Sequence, residues 1–292
     1  MKIGIYARVL KSTEQLTFVD SLFKLLTERG IEIWLHKDFA NFLIHKKRQV
    51  SYKMFDNNSL SENSIDYLLS LGGDGTMLDT LTMVRDTNIP VLGVNMGRFG
   101  FLASSQQEDI VQTITQLENK TYSIDKRTVL KLESDREVFT QFPYALNDFV
   151  IHKKDTSSMI TVHAYVNGVF LNSYWADGLI CSTPTGSSGY SLSCGGPLLF
   201  PGSASVVITP IAPHNLNVRP AVISDDHVLT FEIEGRTNSF LATLDSRSVT
   251  VEKGTQLAIK KADFFFSMIR LQEESFMDTI RKKLMWGLDN RN

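Results

Sequence analysis

From Lys2 to Lys120 the sequence alternates short apolar runs with segments whose apolar residues recur at helical spacing. That alternation constrains the fold more than any other feature. "KIGIYARV" reads as a buried strand. Thr13 to Glu28 carries Leu16, Val19, Leu22, Phe23 and Leu26 on one helical face, with Gly30 placed to cap its end. "IEIWLH", "IDYLLSLG" and "PVLGVN" follow as further strands. "KDFANFLIHKKRQ", Thr76 to Thr87 and "QEDIVQTITQLENK" read as helices between and after them, the last with an acidic first turn. Strands that alternate with helices form βαβ units and a parallel sheet. The expected fold class is therefore an α/β, Rossmann-like N-terminal domain.

Near Tyr122 the pattern changes. "TVLKLES", "YALNDFVIHK", "ITVHAYVNGVFLNSYWADGLICST", "SVVITPI", "AVISDDHVLTFEIEG" and "VTVEKGTQLAIKKA" are β-rich runs separated by turn signals, and "VNG" and "EKGT" read as hairpin turns. A mostly antiparallel, all-β C-terminal domain is expected. Ser275 to Leu288 carries Phe276, Ile280, Leu284 and Met285 at helical spacing. The expected division is 1–122 as the α/β domain, 123–266 as a β-rich domain, and 267–292 as a helical tail that packs back on the first.

The bulk properties exclude several classes. A formal net charge of −2 over 292 residues argues against a nucleic-acid or anionic-lipid partner. No apolar run is long enough for a membrane span, and "MKIGIYARV" is too short and interrupted for a signal peptide. A soluble cytoplasmic protein is expected. Cys181 and Cys194 lack the spacing of zinc ligands or of a disulfide framework, so they read as free thiols and no metal ligand is assigned.

Four stretches carry the chemistry. "GGDGT", Gly72 to Thr76, lies between a strand and a helix. Glycines let backbone approach a ligand, and the N–H groups of a helix N-terminus suit phosphate. Asp74 is the odd member, because a carboxylate repels phosphate. It makes sense if it faces an attacking hydroxyl or a magnesium ion; a D-G turn with a helix cap is the competing explanation. "GVNMGRFGFL", Gly93 to Leu102, leaves the carboxyl end of the next strand, where open parallel sheets bind ligands. Gly72, Gly73, Thr76, Gly97, Arg98 and Gly100 are thus candidate phosphate-loop residues. "DGLICSTPTGSSGYSLSCGGP", Asp177 to Pro197, clusters small hydroxyls and glycines suited to ribose, adenine and phosphate edges. Adjacent Asn147 and Asp148 have the donors and acceptors to grip a vicinal diol. His152, His163 and His214 read as structural.

The motifs of rival classes are missing. There is no G-x-x-x-x-G-K-[ST], no G-x-G-x-x-G after the first strand, no G-x-S-x-G and no H-E-x-x-H.

In order, "GGDGT", "GVNMGRFGFL", "LND", "DGLICSTPTGSSGYSLSCGGP" and "PIAPHNLNVRP" make the chain resemble the NAD kinases over nearly its whole length, to "RKKLMWG". "GGDGT" alone is shared with lipid kinases, whereas "STPTGS" followed by "YSLS" is specific. The resemblance implies transfer of the γ-phosphoryl of ATP, with Mg²⁺, to the 2′-hydroxyl of the adenosine ribose of NAD. It implies homodimers or homotetramers. It also assigns residues. Asp74 matches the catalytic aspartate and Gly75 a backbone contact. Asn147 and Asp148 match the pair that binds the NAD ribose. Asp177, Ala212 and the loop Ser188, Gly189, Tyr190, Ser191, Leu192 and Ser193 match further NAD contacts. Departures are "SGYSLS" for "TAYSLS", Arg247 where relatives carry a glutamine contact, and Ser158 and Trp175 at positions often basic.

Overall fold

The computed structural model describes the chain except residues 49, 58, 61, 98–99, 104, 155–157, 272–274 and 287–292. Its chain divides into two compact units, 1–125 with 267–292, and 126–266.

The first unit is built from β1 (Lys2–Ala7), α1 (Thr13–Glu28), β2 (Glu32–His36), α2 (Lys37–His45), β3 (Lys53–Phe55), β4 (Tyr67–Gly72), α3 (Asp74–Val84), β5 (Val91–Asn95) and α4 (Ile110–Asn119). Its strands are parallel and ordered β3-β2-β1-β4-β5. Residues 267–271 add a sixth parallel strand, in register Met268 to Val91. This is the doubly wound order, in which the chain reverses direction across the sheet between β1 and β4. The centre of the sheet is apolar on both faces: all five residues of β5 and the first five of β4 are buried. α1 covers one face with Val19, Leu22, Phe23 and Leu26. Ser12 and Gln15 cap it reciprocally, and Gly30 follows its end in the left-handed region at φ +67°.

Four expectations shift here. The short edge strand β3 was not foreseen, because three residues carry no readable period. α3 begins at Asp74 rather than Thr76. α4 has no acidic first turn: Asp109 is its N-cap residue and Glu108 lies before it. The C-terminal helix α6 (Phe276–Leu284) buries only Ile280; Phe276 lies 6.5 Å from Phe101 by ring centroids, and Met285 is exposed beyond the helix end. No helix among the described residues is long and apolar enough to cross a membrane.

β6 (Tyr122–Ser134) leads into the second unit, which holds β7 (Tyr144–Ala145), β8 (Asp148–Lys153), β9 (Ile160–Val166), β10 (Val169–Ala176), β11 (Gly178–Ser182), a short helix α5 (Tyr190–Ser193), β12 (Ser205–Ile211), β13 (Ala221–Ser224), β14 (Leu229–Glu234), β15 (Ser239–Leu244), β16 (Arg247–Glu252) and most of β17 (Leu257–Leu271). One antiparallel sheet runs β13-β12-β11-β8-β15-β16. Against it packs a second layer in which β9 pairs with β10 and β14, and β14 with β17. Residues alternate in and out along β14 and β15, and Phe149, Phe231, Phe240, Leu244 and Leu257 meet in the shared core. Asn167 and Gly168 both take positive φ, so "VNG" is a hairpin turn between β9 and β10. "EKGT" turns at Gly254 but makes no hairpin, since β16 and β17 lie in different sheets. The hairpin at this place is β15–β16, closed by Asp245 and Ser246. "YALNDFVIHK" is not one strand: it breaks at Leu146 and Asn147. Cys181 is buried and Cys194 partly so; both are unpaired.

Candidate functional site

In the first unit the chemistry gathers at the carboxyl end of β1 and β4, where the strand order reverses. β4 ends in Gly72, Gly73 is the extended N-cap of α3 with no side-chain cap, and Asp74 opens the helix. The carboxylate of Asp74 is held from the second glycine loop. Its Oδ2 accepts from the Phe101 N–H at 2.9 Å, and its Oδ1 from the Leu102 and Ala103 N–H groups at 2.9 and 3.3 Å. An ionised carboxylate has about four lone-pair sites. Three are used, which leaves about one for a ligand. Gly100 makes this possible: a Cβ there would sit 2.1 Å from Asp74 Oδ1. Gly72 has a packing reason as well, since its Cβ would lie 2.2 Å from Thr76 Oγ1. Gly73 and Gly97 face open space. Asn95 Oδ1 accepts from the Gly97 N–H, and the Met96 N–H bonds to the Gly72 carbonyl, fastening one loop to the other. Arg98 lies outside the described residues.

Arg8 stands just past β1 and was not singled out from the sequence. Its guanidinium makes a two-point pair with Asp79 of α3, at 2.5 and 2.7 Å, and lies 3.5 Å from where a Gly75 Cβ would be. Tyr6 donates to the same Asp79, and burial raises its phenol above the usual range. Asp79 balances the charge of Arg8 and fixes the guanidinium beside the α3 N-terminus, where it presents N–H donors suited to phosphate.

In the second unit Asn147 and Asp148 stand where β7 gives way to β8. The Asn147 carbonyl accepts from the Thr183 N–H at 2.9 Å and the Leu146 carbonyl from Thr183 Oγ1 at 2.6 Å. Asn147 Oδ1 is buried and has no hydrogen-bond partner among the described residues. A buried acceptor left open costs about 1–3 kcal/mol, which a bound donor recovers. Asp148 is 6% exposed, and burial, then the nearby Asp245, pushes its carboxyl up to about 7. Burial also raises the Cys181 thiol and the Tyr190 phenol nearby, each with a smaller contribution from Asp148.

A raised acid holds its proton longer in the folded state than in the unfolded one. Asp148 therefore contributes stability below about pH 4 that is lost as pH rises to about 7, and is flat beyond. The Asp148→Asn variant is expected to gain stability over the parent across that window. Denaturant midpoints at pH 4.5 and 7.5 measure it; an equal gap at both pH values contradicts the placement of this carboxyl.

The Ser/Thr/Gly stretch is compact. Ser182, Thr183, Thr185, Ser187 and Ser191 are buried. Ser191 Oγ pairs with Thr209 Oγ1 at 2.8 Å and Ser187 Oγ with the Leu199 N–H at 2.9 Å, so these hydroxyls build the loop's own scaffold. Ser188, Gly189 and Leu192 are partly exposed, Tyr190 and Ser193 exposed. Gly186 fits against Asn147, whose carbonyl oxygen would lie 2.2 Å from an added Cβ. Gly186→Ala is expected to cost about 1–3 kcal/mol and to shift the Asn147 segment. A thermal midpoint within a degree of the parent would contradict this.

Asp177 pairs with Lys153 Nζ at 2.5 Å. Ala212 is exposed at φ +46°, a strained position for a residue with a Cβ. Trp175 meets the ring of His214 with centroids 4.2 Å apart and planes tilted by 44°. Ser158 is partly exposed. Arg247 donates to the Phe142 carbonyl at 2.6 Å and to the Tyr144 carbonyl, over the rings of Phe139 and Phe142. Among the described residues no three carboxylate, imidazole or thiol groups cluster to cage a metal.

Family models described as the ATP-NAD kinase N-terminal and C-terminal domains match residues 3–122 and 146–271. A curated NAD kinase of Flavobacterium johnsoniae is 46% identical, with all of both chains covered. The chain belongs to the ATP-NAD kinase family. A second member, the NAD kinase of Cytophaga hutchinsonii, is 43% identical over the full length of both. The fold of the family is that of a yeast NADH kinase solved with NADH, TM-score 0.89 at 19% identity, covering 99% of this chain and 89% of that one. An NAD kinase from Archaeoglobus fulgidus solved with ATP gives 0.77 at 22% identity, covering 98% and 99%.

Proposed function

We propose that the chain transfers the γ-phosphoryl of ATP to the 2′-hydroxyl of the adenosine ribose of NAD, giving NADP and ADP. The observation that carries the mechanism is the Asp74 carboxylate, fixed by three backbone N–H groups with about one lone pair left over. Phosphoryl transfer needs chiefly positioning and charge neutralisation. A carboxylate that cannot swing fixes the line of attack of a hydroxyl bound to it and accepts its proton. Gly73 and Gly97 leave room for phosphate oxygens at the α3 N-terminus, and the Arg8 guanidinium, held by Asp79, adds N–H donors. Asn147 Oδ1 and the Asp148 carboxylate are acceptors for ribose hydroxyls. Exposed Tyr190 and its neighbours Ser188 and Gly189 offer a face for adenosine, with Asp177 and Ala212 as further contacts.

Mg²⁺ is proposed as the metal. Mg²⁺ bound with ATP would keep several of its waters and would neutralise the phosphates it bridges. We place the enzyme in the cytoplasm, where ATP and NAD are abundant, as a homodimer or homotetramer. Exposed Val169, Phe170 and Leu171 on β10, at a sheet edge, support self-association.

The test is turnover. Purified protein with Mg-ATP and NAD, or NADH, is expected to form NADP or NADPH, read by a dehydrogenase specific for the phosphorylated cofactor. Chelation by EDTA is expected to stop it. No product from either acceptor overturns the proposal.

A further inference from the structure

The tip of the β15–β16 hairpin holds the Asn147–Asp148 segment through its backbone. Asp245 Oδ2 accepts from the Leu146 N–H at 2.9 Å, and its Oδ1 from the Asn147 and Asp148 N–H groups at 2.7 and 3.3 Å. Its own N–H returns a bond to the Asp148 carbonyl at 3.0 Å. Two residues on, Arg247 donates to the carbonyls of Phe142 and Tyr144. One turn thus takes three consecutive N–H groups and three carbonyls from 142–148. Leu146 and Asn147 lie at the break between β7 and β8, outside both strands, and Asp148 opens β8.

Such an arrangement is costly. Asp245 adopts φ +53°, a conformation that disfavours any residue with a Cβ. Burial raises its carboxyl while the three N–H bonds oppose the rise, and its charge in turn helps push up the carboxyl of Asp148. Neither feature serves packing alone. A neutral side chain at 245 would spare the burial of charge, and it would also leave one or more of the three N–H groups without an acceptor.

We infer that Asp245 is a positioning residue: by accepting the N–H groups of 146–148 it sets the direction of the Asn147 amide and the Asp148 carboxylate toward the ribose. This rests on the reading of Asn147 and Asp148 as the ribose grip. Asp245 itself touches neither substrate nor reacting atoms.

The test uses the full chain and Asp245→Asn. An asparagine of the same shape keeps an acceptor on one side only, so at least one charge-assisted bond is lost. KM for NAD is expected to rise about tenfold or more, with kcat and KM for ATP within about twofold of the parent. A purely structural role would instead lower the active fraction and thermal midpoint and leave KM for NAD in place, and that result overturns the inference. Hydrogen exchange on the parent protein needs neither a folded variant nor turnover. The amides of 146–148 are expected to be protected in the parent, and exchange at the rate of exposed loops overturns the inference. If the parent phosphorylates no NAD while those amides are protected, the proposed function fails and the backbone clamp stands.

Discussion

Asp74→Asn is expected to lower kcat by at least about 100-fold, with a modest change in KM for NAD, because general-base help is worth about 10²–10⁴-fold. The side chain keeps its shape and loses two things. It no longer accepts a proton, and it no longer accepts N–H groups on both sides. Oδ2 takes the Phe101 N–H and Oδ1 those of Leu102 and Ala103. Whichever way the amide is turned, its NH₂ confronts at least one of them. The loss therefore falls on the reacting group and on the loop that aims it. Steady-state kinetics at saturating ATP measures the effect, with the thermal midpoint as a check on folding. A kcat near that of the parent would remove Asp74 from the chemistry.

Gly100→Ala is the second large effect, and it leaves Asp74 chemically intact. The added Cβ would lie 2.1 Å from Asp74 Oδ1 and 2.7 Å from its Cγ. A free carboxylate would turn away at little cost. This one is tied to three N–H groups of the same loop, so relief comes only by moving the carboxylate or the loop. A displacement of about 1 Å at a reacting group costs about 100-fold in rate, and that is the expected fall in kcat. In the double variant with Asp74→Asn the losses are not expected to add, since both act on one group. Full additivity would mean that Gly100 acts elsewhere.

Much of the first unit was legible because period decides it. α1 appears with both ends as read, since five spaced apolar residues and Gly30 agree; the structure adds a capping box of Ser12 and Gln15 at its start. The parallel sheet was legible from alternation, but its order was not: β1 lies between β2 and β4 through crossovers that no local pattern records. "EKGT" misled because a glycine turn reads the same whether it joins two strands of one sheet or passes between sheets.

The site was legible where glycines and small hydroxyls cluster along the chain, and not where it depends on distant partners. Arg8 meets Asp79 across 71 residues, and Asp245 meets Leu146 to Asp148 across 97 to 99. Neither charge stands out from its neighbours in sequence. Arg247 reads from the sequence as a changed ligand contact, and its bonds to the Phe142 and Tyr144 carbonyls, across 105 and 103 residues, leave no local trace. Ser191, part of a stretch read as a cradle, spends its hydroxyl on Thr209.

The reaction as a whole rests on where the phosphoryl group goes. Phosphorus NMR on the product of Mg-ATP, NAD and this protein decides it. The account predicts one new phosphomonoester signal, coincident with that of the 2′-phosphate of authentic NADP and growing at the rate that ATP becomes ADP. ATP consumed with only inorganic phosphate released, or a phosphoester at any other hydroxyl, would contradict it.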